Sequence, residues 1–349
     1  MTVTSTTPRL AAAAVALPPH RHSQAEVTAL LTDAAGAEFE RFANTSGVQT
    51  RSLALPLERY RELRDFTEAN QTYLNVALEL SESALRNALA TAQITPDEVD
   101  IIFSTTVTGL AVPTLDARLA ARIGLRPDVK RVPLFGLGCV AGAAGVARMH
   151  DYLRAYPEQV AVLVAVELCS LTIQWGDHSV ANMVASSLFG DGAAAVVATG
   201  AQRAGTGPQV LASRSRLYPD TEHVMGWEIG TSGFKIVLSA DIPTVAEKYL
   251  GEDVTLFLAE FGLTPDDVDT WVCHPGGPKV IEAVEHVLKL PSSALDRTRE
   301  SLRDNGNLSS VSVLDVLRAT MGDPPAAGSL GMMIAMGPGF CAELVLLRW

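Results

Sequence analysis

A short sequence pattern occurs twice in this chain of 349 residues. Residues 95–100 read Thr-Pro-Asp-Glu-Val-Asp and lead into the apolar run 101–103. Residues 264–269 read Thr-Pro-Asp-Asp-Val-Asp and lead into the apolar run 270–272. Each copy has an amphipathic helical pattern, then an acidic turn, then a strand pattern. This repeat constrains the fold strongly, because it predicts two halves built on the same plan.

Apolar runs and amphipathic segments alternate along the rest of the chain. Strands are predicted at 10–17, 101–104, 160–166, 193–198, 210–212, 270–273 and 343–347, and helices at 73–90, 115–123, 143–156, 242–261 and 280–287. This alternation predicts an α/β protein with helices on both faces of its sheets. The polar, Gly-rich stretch 200–208 is the best internal boundary, so we place the two domains at 1–205 and 206–349.

Composition and charge exclude several classes of protein. Hydrophobic residues make up 48% and charged residues 19%, which is typical of a globular chain with a large core. A net charge of −12 without a basic stripe argues against a nucleic-acid binder. Cys139, Cys169, Cys273 and Cys341 have neither metal-ligand nor secreted-framework spacing, so we expect a reducing cytoplasm and no metal. The alanine-rich run 10–17 is too short to span a membrane and is interpreted as a first strand.

Cys139 stands between a predicted strand and a predicted helix. The apolar residues 133–135 are followed by Gly136 and Gly138, and small residues after Cys139 begin an amphipathic pattern. A thiol at a helix N-terminus lies near unpaired N–H groups and the positive end of the helix dipole, which favour the thiolate. A buried cysteine is as often an inert small hydrophobe, so the position alone leaves both interpretations open.

His274 and Asn307 also stand at the tips of regular elements. His274 ends the apolar run 271–273 and precedes Pro-Gly-Gly-Pro, whereas Asn307 lies in a turn before an apolar helical spacing. Such tips are common places for sites built on a rigid frame. Singly, His274 suits a core histidine and Asn307 a cap or turn residue. Together with Cys139 in a similar setting, they favour a functional site over three separate structural roles.

Five motifs resemble those of the type III polyketide synthases, the chalcone synthase-like enzymes of the thiolase superfamily. They are Gly-Cys at 138–139, Leu-Phe-Gly-Asp-Gly-Ala-Ala-Ala at 188–195, His-Pro-Gly-Gly-Pro at 274–278, Gly-Asn-Leu-Ser-Ser at 306–310 and Gly-Pro-Gly-Phe at 337–340. They occur in family order and are closest to bacterial members, including mycobacterial relatives that make alkylpyrones. The resemblance implies a duplicated, five-layered αβαβα thiolase-like fold, with Cys139 in the first half and His274 and Asn307 in the second.

The resemblance also implies a reaction. Cys139 would attack an acyl-CoA thioester as a thiolate, stabilised by His274 in an ion pair. The Nε2–H of His274 and the amide of Asn307 would donate to the thioester oxygen of malonyl-CoA as it loses carbon dioxide. The resulting enolate would extend the acyl chain on Cys139 by two carbons. Acyl-CoA and malonyl-CoA would be substrates, and no cofactor is expected.

Further roles are carried over by the same resemblance. Phe189, otherwise a core phenylalanine, would be a gatekeeper between the CoA tunnel and the cavity. An ungapped alignment places Ile236 at the second gatekeeper position, and Phe234 lies two residues away on the same strand face. Residues expected to line or neighbour the cavity are Val107, Thr108, Val112, Cys169, Thr172, Trp227 and Ser309.

Three of the expected roles concern partners and substrates. The segment at Val112 resembles the one that reaches into the partner's cavity in this family, so we expect a homodimer. Arg51 is either a CoA phosphate contact or an exposed surface arginine. Aliphatic walls favour alkyl starters through burial, at about 0.8 kcal/mol per methylene, whereas Trp227 would shrink the cavity. We therefore expect a medium- or long-chain fatty acyl starter, malonyl-CoA or methylmalonyl-CoA as extender, and alkylpyrone products.

Four alternatives remain open at this point. One is a synthase of the same class that makes alkylresorcinols or another aromatic polyketide. A second is a priming ketoacyl synthase, which shares the Cys, His and Asn but condenses once on an acyl carrier protein. A third is a cysteine-based α/β-hydrolase, which needs a late triad histidine. The fourth is a dinucleotide-binding module, since the glycines before Cys139 imitate its fingerprint.

Overall fold

The computed structural model describes residues 7–35 and 38–349. The strands are β1 (Arg9–Ala16), β2 (His20–Ser23), β3 (Thr50–Leu53), β4 (Ile101–Thr106), β5 (Lys130–Phe135), β6 (Val160–Leu168), β7 (Asp191–Thr199), β8 (Gln209–Leu217), β9 (Met225–Gly230), β10 (Gly233–Leu238), β11 (Thr270–Cys273), β12 (Leu330–Gly337) and β13 (Cys341–Arg348). The α-helices are α1 (Gln24–Ala35), α2 (Glu38–Thr45), α3 (Phe66–Ala92), α4 (Leu115–Ile123), α5 (Ala141–Ala155), α6 (Val180–Leu188), α7 (Ile242–Ala259), α8 (Pro278–Leu288), α9 (Asp296–Asn305) and α10 (Ser312–Gly322).

Nine strands form a mixed sheet in the order β11-β12-β13-β8-β1-β7-β6-β4-β5. Its two parts are joined at β1 and β8 by a single residue pair, Arg9 with Gln209. The first part therefore holds β1 and β4 to β7, and the second holds β8 and β11 to β13. The pairs β2-β3 and β9-β10 form two small separate sheets.

Helices lie between and outside the two parts of the sheet. Helix α3 packs on β1, β6 and β7, whereas α5 and α10 contact strands of both parts. Helices α7 and α8 share a hydrophobic cluster with β12 and β13 on the far side. Separate clusters fill the space under α3 and the space around α5 and α10. The order helix, sheet, helix, sheet, helix is the five-layered α/β fold that the sequence predicts.

The repeated pattern has the same local structure in both halves. Thr95 with Glu98, and Thr264 with Asp267, form capping boxes around short 3-10 turns. The first turn leads into β4, which pairs parallel with β5 and β6, and the second leads into β11, which pairs parallel with β12. The boundary in 200–208 lies between β7 and β8 and stays a prediction. None of the described helices is long and apolar enough to cross a membrane.

Candidate active site

Cys139 lies in a short 3-10 turn, Gly138–Val140, directly before α5. Positive φ angles of 95° at Gly136 and 54° at Gly138 carry the chain out of β5 in a conformation that favours glycine. A Cβ atom on Gly138 would lie 2.8 Å from Cδ of Pro338, so the turn packs closely against the chain after β12. The thiol thus stands where the sequence predicts, buried at the start of a helix.

Asn307 and Ser309 bring the second half of the chain to this thiol. The Sγ atom of Cys139 lies 3.6 Å from Oγ of Ser309. The backbone N–H of Ser309 donates to Oδ1 of Asn307 at 2.8 Å. Because this bond uses the amide oxygen, the NH₂ group of Asn307 is the end that can donate to a substrate.

A backbone bridge fixes Asn307 to the segment that carries Phe189. The N–H of Asn307 donates to the carbonyl of Leu188 at 2.8 Å, and the N–H of Gly190 donates to the carbonyl of Asn307 at 3.0 Å. A Cβ atom on Gly190 would lie 2.3 Å from the carbonyl oxygen of Asn305, so only glycine permits this approach. Asn307 and the gatekeeper segment therefore share one rigid connection.

His274 directly follows β11 and is 8% exposed. Its backbone N–H donates to the carbonyl of Ile334 at 2.9 Å, which extends the pairing with β12. Both ring nitrogens are buried and have no hydrogen-bond partner within the described part of the chain. A buried polar group without a partner is costly and calls for an explanation, and a role in catalysis is one.

Burial shifts the titration of both His274 and Cys139 towards their neutral forms. It raises the pKa of the Cys139 thiol to about 12 and lowers the pKa of the His274 imidazole to about 3. No hydrogen bond joins His274 to the sulfur in the described structure. Burial disfavours a charge on either group alone, and the ion pair implied by the resemblance stays a prediction.

A cavity of about 60 Å³ lies over Cys139. The predicted residues in its wall are Val107, Cys169, Thr172, Phe189, Trp227, Ile236 and Ser309. Phe234 is 2% exposed and instead packs edge-to-face on Phe66, with ring centroids 5.4 Å apart. Of these two residues Ile236 is therefore the one that faces the cavity, whereas its role as second gatekeeper stays a prediction. Of the residues described, neither His274 nor Asn307 lines this cavity.

Thr108 and Val112 differ from the other predicted lining residues. The Thr108 hydroxyl donates to Glu167 and accepts the N–H of Leu168, both at 2.9 Å, so its bonds are made inside the protein. Val112 is 96% exposed and is absent from the cavity wall formed by the described residues. Its predicted role requires a partner chain.

Sequence reasoning missed Glu167, which is fully buried in β6. One carboxyl oxygen accepts the N–H of Val107 at 3.1 Å and the hydroxyl of Thr108 at 2.9 Å. The other accepts the hydroxyl of Ser310 at 2.6 Å. Burial raises the pKa of this carboxyl to about 7. The available signal was an acidic residue near the end of an otherwise apolar strand.

Arg51 corrects another expectation. It is 2% exposed, so it is not a surface arginine. Its guanidinium donates to the carbonyls of Ser186 and Phe189, at 2.7 and 2.6 Å, and to Oε1 of Gln24 at 2.8 Å. These bonds use donors of both Nη atoms, whereas Nε has no partner among the described residues. Arg51 also lines the cavity over Cys139, and its contact with a CoA phosphate stays a prediction. The described part of the chain also contains no group of three or more His, Cys, Asp or Glu side chains suited to a metal ion.

Comparison with known proteins decides the family. Residues 29–212 match the family model described as FAE1/Type III polyketide synthase-like protein. Residues 209–349 match the model described as Chalcone and stilbene synthases, C-terminal domain. The chain belongs to the type III polyketide synthases. It is therefore a transferase that catalyses decarboxylative Claisen condensation with malonyl-CoA, and the hydrolase and dinucleotide-binding alternatives are set aside.

Individual relatives differ in their products. The chain is 55% identical to the 1,3,6,8-tetrahydroxynaphthalene synthase of Streptomyces peucetius subsp. caesius, over 97% of this chain and 93% of that protein. It is 30% identical to an alpha-pyrone synthesis polyketide synthase-like protein of Mycobacterium tuberculosis, over 88% of this chain and 81% of that protein. The solved tetrahydroxynaphthalene synthase of Streptomyces coelicolor A3(2) matches with a TM-score of 0.94 at 30% identity, over 98% and 99% of the two chains. Likeness to alkylpyrone enzymes is thus only partial.

Proposed function

We propose that this type III polyketide synthase makes an aromatic polyketide of the tetrahydroxynaphthalene kind from malonyl-CoA alone. The observation that carries the proposal is the Trp227 side chain in the wall of the cavity over Cys139, where it takes up space that a long alkyl starter would need. The 55% identity to a tetrahydroxynaphthalene synthase supports the same product, whose carbon skeleton can be assembled from two-carbon units.

The reaction begins with a proton transfer from Cys139 to His274. Each charge alone is disfavoured by burial, but moving the thiol proton to the unpartnered imidazole creates both charges without adding net charge to the pocket. The thiolate attacks the carbonyl carbon of the starter thioester, and CoA thiolate leaves with the proton. The acyl group is then bound to Cys139 as a thioester.

Extension follows on the same residues. In malonyl-CoA the bond between the α carbon and the carboxylate carbon breaks, and carbon dioxide leaves. The electron pair of that bond forms the enolate of the remaining thioester. The imidazole of His274 and the NH₂ group of Asn307 donate to the enolate oxygen, and loss of one such donor typically costs about 10² to 10³ in rate. The enolate carbon attacks the acyl carbon on Cys139, and the sulfur leaves as thiolate. The longer chain then returns from CoA to Cys139 for the next cycle.

A fatty acyl starter with alkylpyrone products is the second candidate. Aliphatic side chains form much of the cavity wall, namely Leu53, Val107, Ile173, Ile236 and Leu238. Such walls stabilise an alkyl chain through burial, at about 0.8 kcal/mol per methylene. The alpha-pyrone relative at 30% identity supports this candidate less strongly than the 55% relative supports the first.

One incubation series separates these candidates. Purified protein is given malonyl-CoA alone, malonyl-CoA with dodecanoyl-CoA, and malonyl-CoA with methylmalonyl-CoA, and products are identified by mass spectrometry with Cys139→Ala as control. We expect an aromatic product from malonyl-CoA alone and none from the control. Pyrones that form only with dodecanoyl-CoA would replace the first candidate with the second. Products that require an acyl carrier protein would indicate a ketoacyl synthase.

Trp227 gives a sharper test of the cavity argument. Trp227→Gly removes the largest side chain of the wall, so kcat/KM for dodecanoyl-CoA is expected to rise about tenfold or more, in line with several buried methylenes. The rate with malonyl-CoA alone should change less. An unchanged preference between the two starters would show that Trp227 does not limit the cavity.

We further propose that the enzyme is a homodimer, and that it works in the cytoplasm. Strand β5 is an edge of the nine-stranded sheet, with its outer side unpaired in the described structure. Phe135 at the end of β5 is 50% exposed, and Val112 is 96% exposed. An edge strand with exposed apolar residues is a template for pairing with another chain. A second copy would cover this edge.

A further inference from the structure

The C-terminal end of α6, just before Phe189, is held by side chains from distant parts of the chain. Helix ends leave four carbonyl groups without intrahelical partners. In α6 each of the last four carbonyl groups has its own donor. Two accept backbone N–H groups: the carbonyl of Ala185 accepts from Phe189 at 2.9 Å, and the carbonyl of Leu188 accepts from Asn307 at 2.8 Å. The other two accept side-chain donors: the carbonyl of Ser186 accepts from the guanidinium of Arg51, and the carbonyl of Ser187 accepts from the amide of Gln24, both at 2.7 Å.

Arg51 contributes most to this arrangement. One of its nitrogens, Nη1, donates to the carbonyl of Phe189 at 2.6 Å as well as to that of Ser186. The other, Nη2, donates to Gln24, whose amide in turn donates to Ser187. Burial lowers the pKa of Arg51 to about 10, so it stays charged at neutral pH. A cation at a helix C-terminus is favoured by the helix dipole.

The planar fork of an arginine matters here. Two carbonyls and one amide oxygen are reached from a single fully buried side chain. A lysine ammonium is a compact point charge on a flexible stem and does not reproduce this geometry. Because Phe189 lines the cavity and is bridged to Asn307, its backbone position sets both the cavity wall and one donor of the site.

We propose that Arg51 is a positioning residue for Phe189, which holds the gatekeeper's carbonyl and the last turn of α6 in place. The inference rests on the proposed function and on the gatekeeper role that the family resemblance implies for Phe189. The role that it assigns to Arg51 is carried by the bonds of its two Nη atoms inside the protein. Gln24 completes the same clamp from the N-terminus of α1.

The test is a double-mutant cycle of Arg51→Met with Phe189→Ala, read out in two ways. The first is kcat and KM for product formation from malonyl-CoA. The second is the rate at which iodoacetamide modifies Cys139, located by peptide mass spectrometry, because this reaction needs access through the cavity but no catalysis. Arg51→Lys is the conservative variant, and Arg299→Met is the matched control. Arg299 also donates to a backbone carbonyl, that of Ser292 at 2.9 Å, and does not line the cavity among the described residues.

We expect Arg51→Met to lower kcat about tenfold or more, because a small misplacement near a reacting group can cost about 10² in rate. It should also change the labelling rate of Cys139 in the same direction as Phe189→Ala does. Compared with Phe189→Ala alone, the double variant should differ by less than about threefold in kcat and in the labelling rate of Cys139, because the effects of coupled residues are not additive. Arg51→Lys should recover part of the activity, and Arg299→Met should leave kcat and labelling unchanged.

Several results would overturn the proposal. Independent, multiplicative effects in the double variant would show that Arg51 does not act through Phe189. So would wild-type kcat and labelling in Arg51→Met. If that variant does not fold, the cycle is run with Arg51→Lys, and additivity there is equally decisive. If the wild type makes no polyketide, the proposed function fails, whereas the labelling cycle still decides the position of Phe189.

Discussion

Among single residues, His274 and Cys139 are buried side chains whose charged forms are disfavoured by desolvation. Both side chains are buried, and no charged group near His274 offsets its desolvation. Burial alone would leave both the thiol and the imidazole neutral. A neutral thiol is a poor nucleophile, because the thiolate is the reactive form. In the proposed mechanism a proton passes from the thiol to the imidazole, and the two opposite charges then stabilise each other. The activity of the thiol should therefore depend on the imidazole.

His274→Gln tests this dependence. Without the imidazole no neighbouring base accepts the thiol proton, and burial still raises the pKa of Cys139 above its usual range. The thiolate fraction at pH 7 should therefore be lower than in wild type and should increase as the pH rises. We expect iodoacetamide to modify Cys139 at least tenfold more slowly than in wild type at pH 7. The measurement is a pH series of labelling rates, with His286→Gln as control because His286 is exposed on α8. Equal rates in wild type and His274→Gln would exclude His274 from activation.

Glu167 predicts a pH dependence of stability. Its pKa is raised to about 7 in the folded protein, above the ordinary value near 4.3. Between these values the folded state binds more protons than the unfolded state, so the contribution of Glu167 to stability falls as pH rises to about 7 and is then constant. The stability of wild type minus that of Glu167→Gln, from urea unfolding, should therefore fall from pH 5 to pH 7.

Glu98→Gln is the matched control for that series. Hydrogen bonds from the Thr95 backbone and from Arg203 lower the pKa of Glu98, so its contribution is present at neutral pH and is lost on acidification. The wild-type-minus-variant difference for Glu98→Gln should therefore stay flat from pH 5 to pH 7 and fall only at more acidic pH. A flat difference for Glu167→Gln would mean that its carboxyl titrates normally in the folded protein.

The sequence could predict Cys139, His274 and Asn307, because each stands in a local motif at the end of an element. It could not predict the surroundings of Arg51 or Glu167. Arg51 is buried only because α6, more than 130 positions away in the chain, ends beside it, with a separation of 135 residues to Ser186. Burial made by distant segments leaves no pattern in the neighbouring residues. The same holds for Thr108, whose partner Glu167 lies 59 residues away.

Among the helices and strands, those with clear start or stop residues in the sequence were predicted best. Helix α4 has the predicted bounds 115–123, because Gly124 ends it in the left-handed conformation with φ 84°. Strand β11 likewise has the predicted bounds 270–273. The β9-β10 hairpin that carries Trp227 and Ile236 was not predicted, because it lies outside the main sheet and its residues do not alternate cleanly between buried and exposed.

Helix α5 packs so closely that one of its glycines is required. A Cβ atom on Gly142 would lie 2.3 Å from the carbonyl oxygen of Ser310 and 2.6 Å from Cγ1 of Val313. Gly142→Ala should therefore destabilise the protein by about 1–3 kcal/mol through overpacking, although alanine favours a helix. Urea unfolding measures this, with Gly322→Ala in α10 as control, since nothing lies within 4 Å of its added Cβ. A stabilising Gly142→Ala would show that α5 can shift freely.

For the whole molecule, the two halves meet face to face while one sheet edge is left open. The second part of the sheet ends at β11 and the first part ends at β5. Along β5 the residues are exposed or half-exposed, in contrast to β6 and β7, which are buried throughout. A strand this exposed at the edge of a large buried sheet is an aggregation hazard unless another chain covers it. Pairing of β5 from two copies would cover this edge in each copy.

Phe135→Lys tests the dimer at this edge. A lysine at this position would put a charge into a contact between two copies and leave it without a partner, so the variant should be monomeric. Light scattering after size exclusion should give twice the chain mass of 37.0 kDa for wild type and 37.0 kDa for the variant. Leu256→Lys is the control, because Leu256 is 53% exposed on α7, far from β5 in the layer order, and should stay dimeric. A dimeric Phe135→Lys would move the contact to another surface, and a monomeric wild type would leave Val112 without the partner cavity that its predicted role requires.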